Sequence, residues 1–105
     1  MKIVFSDALK DHLQNRNKRN IVVEVATTDH SDFDVTEIFT RLCDNRHRDY
    51  LREKKGYREY PIEGVSQDHM AVLFKPYRLE FEEEICFDIA KKWIFSKIVF
   101  DGIKL

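Results

Sequence analysis

Residues 34–55 read D-V-T-E-I-F-T-R-L-C-D-N-R-H-R-D-Y-L-R-E-K-K, and the fold turns on how this stretch is read. Val35, Ile38, Phe39, Leu42 and Cys43 recur at spacings of three and four, which predicts one apolar helix face. Asp34 followed three residues later by Glu37 matches a capping box and places negative charge at the positive end of a helix dipole. The apolar pattern stops at Cys43. Continued at helical spacing, that face would receive Arg46, Asp49 and Glu53, with only Tyr50 nearby as a replacement. Asp44 and Asn45 therefore mark either a helix end followed by a second short helix, or the point where one long helix leaves the core.

The second half of the stretch is basic. Between Arg41 and Arg58 seven Lys or Arg stand against three acids, with Tyr50 and Tyr57 interleaved and Tyr60 just beyond. Such a run forms a solvated face held by local pairs, as Asp44 with Arg48 or Asp49 with Arg52, or it forms an electropositive docking surface. On the second reading the candidate residues are Arg41, Arg46, Arg48, Tyr50, Arg52, Lys54, Lys55, Tyr57 and Arg58.

Outward from this stretch, residues 2–5 (K-I-V-F) and 21–26 (I-V-V-E-V-A) read as strands. Between them Ser6 or Asp7 caps a helix with Ala8, Leu9, His12 and Leu13 on a narrow inward face. Strand, helix and strand suggest a βαβ-like opening, right-handed if its strands are parallel. Residues 27–33 form a polar loop. Gly56, Pro61 and Gly64 mark residues 56–67 as a loop with local turns. Residues 70–74 read as a strand, and Pro76 sets a turn into an alternating strand from Leu79, which predicts a hairpin. Residues 83–95 fit a strand or a helix, and their density of Ile, Phe and Trp favours the strand. Glu83 falls on the apolar side of that strand, which calls for a bulge or break at residues 82–84. Residues 97–100 read as a last strand, closed by Asp101 and Gly102.

Length and composition agree with a compact fold. The chain has 105 residues, 43% hydrophobic and 35% charged, with three Gly, two Pro and a net charge of −1. This fits one domain over 1–105 with a modest core. The expected architecture is α+β in two layers, a mixed, mostly antiparallel sheet of four to five strands with two main helices on one face, at residues 7–16 and 34–43. The expected core draws on Ile3, Phe5, Leu9, Leu13, Val23, Val25, Ile38, Phe39, Leu42, Val72, Phe74, Phe81, Phe87 and Ile98.

Chemical motifs are sparse. The loop Asp29, His30, Ser31, Asp32, Phe33, Asp34 is rich in oxygen ligands but lacks the spacing and Gly of a calcium loop. Glu80, Glu82, Glu83, Glu84 and Asp88 form an acidic run that reads as a solvated strand edge. His12, His30, His47 and His69 show no ligand spacing, and Cys43 and Cys86, each among apolar residues, read as small buried thiols of a reducing cytosol. No phosphate loop, nucleophile elbow or dinucleotide fingerprint is present. No metal, cofactor or catalytic residue is therefore assigned. The opening M-K-I-V-F-S-D-A-L resembles the start of A-type iron–sulfur carrier proteins. It covers fewer than ten residues, and the C-terminal C-G-C arrangement those proteins depend on is absent, so no function carries over.

No apolar run reaches the length of a membrane span, and Lys2, Asp7, Lys10 and Asp11 leave no room for a signal peptide. The function expected is a cytoplasmic, non-catalytic interaction domain that pairs with itself or another protein and not with a membrane. Acidic segments at 29–37 and 80–88 complement the basic run at 41–58 and could meet it across a two-fold axis. The alternative is a small nucleic-acid-binding protein that uses the Tyr-containing basic stretch 41–60.

Overall fold

A computed structural model describes residues 1–29 and 31–105; His30 lies outside the described residues. The fold is α+β in two layers. Among the described residues seven strands form two mixed sheets, with β1 Lys2–Phe5, β2 Asn20–Asp29, β3 Asp34–Cys43, β4 Arg58–Pro61, β5 Ala71–Phe74, β6 Glu80–Lys92 and β7 Phe95–Lys104. The helices are α1, Asp7–Arg16, and α2, Asn45–Lys54. One sheet has strand order β1-β6-β7 and the other β3-β2-β5-β4. Two sheets thus replace the single sheet expected.

The main correction concerns residues 34–43, which form strand β3 and not a helix. Ile38 and Leu42 are four apart, and a four-residue step keeps two side chains on one side of a helix and of a strand alike. The pattern alone could not separate the two. Val35, Thr36, Ile38 and Thr40 are β-branched and favour the extended form. Pairing settles it, because β3 lies antiparallel to β2 over their whole length, from Asn20 opposite Cys43 to Asp29 opposite Asp34. Asp34 therefore caps nothing. The cap belongs to Asp44, whose carboxylate accepts from the His47 N–H at 2.8 Å and starts α2.

The two layers face each other across one core. Ile3 and Phe5 of β1, Leu9 and Leu13 of α1, Ile21 and Val23 of β2, Val72 and Phe74 of β5, and Ile85 and Phe87 of β6 are all buried there. The alternate residues of the four-stranded sheet, Val22, Cys43 and Leu73, pack on its other side with Leu51 of α2. The helices thus lie on opposite sides of this sheet, not on one. Phe39 and Phe81, expected in the core, are exposed.

Three further readings change. β1 and β2 belong to different sheets, so the opening is not a βαβ unit. β1 is parallel to β6, and the Ser6 N–H donates to the Phe87 carbonyl at 3.0 Å as α1 begins. β5 and β6 do not form a hairpin. β5 is buried throughout and already has β2 and β4 as neighbours, so the chain leaves for the other sheet at Pro76. Residues 56–67 contain the short edge strand β4, in which Pro61 is tolerated.

Residues 80–92 are a strand, as their composition favours, and the irregularity foreseen at Glu83 is present. The β6–β7 register shifts between Phe81 and Cys86. Opposite that bulge, Gly102 holds φ +94°, and a Cβ there would stand 2.5 Å from the Glu84 carbonyl oxygen. Gly102 thus permits a close approach inside β7, which runs on to Lys104 and does not close at Asp101 and Gly102.

Candidate interaction surface

The basic stretch is divided by the fold. Arg41 sits on the exposed side of β3, and its Nε donates to Glu24 on the neighbouring strand at 2.6 Å. α2 turns Arg48 inward beside Leu51, three residues on, and leaves Arg48 only 9% exposed. There its Nη1 donates to the Gln67 carbonyl at 2.7 Å, and its Nε lies 3.4 Å from both Glu59 and Asp49. Arg52 completes the cluster, donating to Glu59 at 2.7 Å and lying within 3.4 Å of Asp49 and Glu53. The hydrogen bond to Glu59, then its charge, holds the Arg52 proton more firmly than usual. Three of the candidate cations are therefore occupied in joining α2 to β4 and β3 to β2.

The other candidates stay nearer the surface. Among the described residues Arg46, Lys54 and Arg58 form no ion pair. Tyr50 is exposed, stacks on His47 with ring centres 5.9 Å apart, and carries the Lys55 ammonium 5.9 Å above its ring. Tyr57 is half-buried against the α2 cluster, and burial, then the charge of Glu24, pushes its phenol above the ordinary value. Arg46, His47, Tyr50 and Asp44 border a shallow depression. The nine candidates do not converge on one concave site.

The remaining chemistry-bearing groups are built into structure. Asn20, fully buried, accepts from the Ala71 N–H at 3.0 Å and donates to Asn45 at 2.8 Å and to the Cys43 carbonyl, tying the start of α2 to the sheet. Burial raises the Cys43 thiol to about 11, so it stays protonated. Cys86 is exposed, contrary to expectation, because it alternates with buried Ile85 and Phe87; partial desolvation and Glu84 raise its thiol as well. Asp88 receives the Ser6 hydroxyl, which lowers its carboxyl below the usual range. Where β2 ends opposite the start of β3, the hydrogen bond that a protonated Asp34 gives Asp29, with some desolvation, raises the Asp34 carboxyl. Among the described residues no cluster of three or more His, Cys, Asp or Glu is placed to hold a metal ion.

An open groove of about 840 Å³ lies between the two sheets on another face. Residues 37–42 of β3 line one wall, and consecutive residues can do so only if the groove runs along the strand's edge. Residues 94–98 and Phe100 of β7 line the other wall, with His12 and Arg16 of α1 at one end. β3 pairs only with β2 and β7 only with β6, so each presents an unpaired edge. Ile38, Leu42, Ile89, Ile98 and Phe100 supply an apolar floor continuous with the core. Sequence reasoning missed this groove, since its walls come from three distant segments that only the topology joins.

No family model matches the chain, and no curated protein matches it either. Among the described residues no helix is long and apolar enough to cross a membrane.

Proposed function

We propose that the chain is a non-catalytic interaction domain that pairs with a second copy of itself along β3. The observation that supports this reading is the pair of unpaired strand edges facing one apolar-floored groove. A free edge of ten residues is a template for another strand, and proteins that stay monomeric blunt such edges. β3 carries no Pro and exposes Phe39 near its middle. Its sequence is also self-complementary. An antiparallel two-fold pairing centred on Phe39 sets Ile38 of one copy opposite Thr40 of the other, and brings Glu37 to Arg41 as a second carboxylate beside the Glu24 that Arg41 already holds. Two free thiols, one exposed, suit a reducing compartment such as the cytoplasm.

Sedimentation velocity across a concentration series tests the reading. The wild-type chain is expected to sediment as a dimer. Phe39→Lys, which sets like charges at the two-fold centre, and Glu37→Arg, which sets Arg opposite Arg, are each expected to give a folded monomer. A wild-type chain that remains monomeric at its highest attainable concentration overturns the proposal, as does a dimer indifferent to both substitutions.

A further inference from the structure

The hairpin joining β6 to β7 carries K-K-W-I-F-S-K at residues 91–97, and the fold buries none of them. β1 covers β6 only from Glu84 to Phe87, so beyond Asp88 the two strands continue as a ribbon with no third strand beside β6. Every residue from 90 to 97 is exposed. Lys92 and Phe95 form the last cross-strand pair, which leaves Trp93 and Ile94 as a two-residue turn. Trp93 is 94%, Ile94 90% and Phe95 72% exposed.

Trp93 also holds φ +59°, a region where a bulky side chain is strained and where hairpin turns ordinarily place Gly, Asn or Asp. A tryptophan that is both strained and bare contributes nothing to folding, so its reason lies outside the fold. Three lysines bracket the apolar tip, and among the described residues none of them forms an ion pair. The base of the ribbon is positive as well. His12, between α1 and the ribbon, binds its proton less readily through burial and the charges of Arg16 and Lys91. Of the residues that line the groove beside the tip Glu37 is the acid, and Asp88 on β6 is engaged by Ser6.

We propose that this hairpin tip docks the protein on the surface of an anionic lipid bilayer, with Trp93, Ile94 and Phe95 entering the interfacial layer and Lys91, Lys92 and Lys97 meeting lipid phosphates. Tryptophan favours the headgroup level, and isoleucine and phenylalanine favour the layer beneath it. Lysines beside an inserted apolar tip each strengthen binding roughly fivefold at an anionic surface. The arrangement suits a lipid surface better than a protein partner. Protein interfaces are depleted of lysine at their centres, and here Lys92 stands beside Trp93 and opposite Phe95, with Lys97 two residues further on. Surface docking needs no spanning helix.

Trp93 is the chain's single tryptophan, so its fluorescence reports directly on the tip. The full chain is titrated with phosphatidylcholine vesicles with and without phosphatidylserine, and binding is checked by co-sedimentation. The expected result is a blue shift with the anionic vesicles alone, weakened by added salt. Lys92→Glu with Lys97→Glu is expected to weaken binding at least about twenty-five-fold, from roughly fivefold for each lysine. Ile94→Ser with Phe95→Ser is expected to abolish the shift while the circular dichroism spectrum stays unchanged, since both side chains are exposed. No shift on anionic vesicles overturns the proposal. So does equal binding to neutral vesicles, or a blue shift that grows with protein concentration in the absence of lipid, which would assign the tip to an interface between copies.

Discussion

Two basic, aromatic-bearing regions of this chain look alike as strings and behave oppositely in the fold. The stretch around α2 has more cations, but Arg41, Arg48 and Arg52 are each held by a carboxylate, and Arg48 is nearly out of water. The tip of the β6–β7 hairpin has only three lysines, and they flank three largely exposed apolar side chains. The difference shows that a count of basic residues does not measure a binding surface. What matters is whether each cation already has a partner and whether the apolar groups between them belong to a core. By that measure Arg41, Arg48 and Arg52 hold the fold together, while the hairpin tip is displayed to whatever lies outside it.

Arg48→Ala tests the first half of the comparison most severely. It leaves Glu59, whose side chain is only 11% exposed, without its inner partner, and strips the Gln67 carbonyl of a donor. Glu59 keeps Arg52 at 2.7 Å, so the cost is that of the lost guanidinium and its hydrogen bond to Gln67, about 2–3 kcal/mol. Urea denaturation is expected to show a loss of that size with an unchanged m-value. A loss below about 0.5 kcal/mol, typical of open surface positions, would mean that Arg48 is free after all. Asn20→Ala comes next. It orphans the buried Ala71 N–H and releases Asn45 at the start of α2, for about 2 kcal/mol by the same measurement.

Much of this was legible from residues alone, and the failures have physical causes. β1, α1 and the centres of β2 and β5 follow from β-branched runs and the Ser6 cap, and the irregularity in β6 follows from a charge on an apolar face. β3 was misread because Ile38 and Leu42 satisfy both periods, and only its pairing with β2 decides between them. A β5–β6 hairpin is excluded because both edges of β5 are taken, one by β2 and the other by β4, which leaves none for its successor. The inward turn of Arg48 left one trace in the string, its three-residue spacing from Leu51, but a basic residue on an apolar face reads as surface until Glu59 and Gln67 arrive from elsewhere. The K-K-W-I-F-S-K run was visible as well. Its exposure was not, because the same residues could have closed a core.

Trp93→Gly probes the displayed region with the opposite sign. Relief of strain at φ +59° is worth about 1–2 kcal/mol for a bulky residue, and glycine returns about 0.5–1 kcal/mol of that through its more flexible unfolded chain. A net gain near 1 kcal/mol is expected in thermal or urea unfolding, because the exposed indole surrenders almost no packing. A loss of stability would show that the indole packs on the ribbon.

The smallest effect is the most discriminating. Replacing Lys91, Lys92 and Lys97 together by Gln removes three positive charges, as many as Arg41, Arg48 and Arg52 carry. With no ion pair to break and only exposed positions involved, unfolding free energy should stay within about 0.5 kcal/mol of wild type. Salt dependence should hardly change either, since no close partner charge is lost. If the triple variant instead loses stability comparable to Arg48→Ala, the lysines are structural and the contrast between the two regions fails. If it folds as wild type, three charges have been carried at a strained, apolar tip without benefit to the fold, and their role must be sought in what the tip touches.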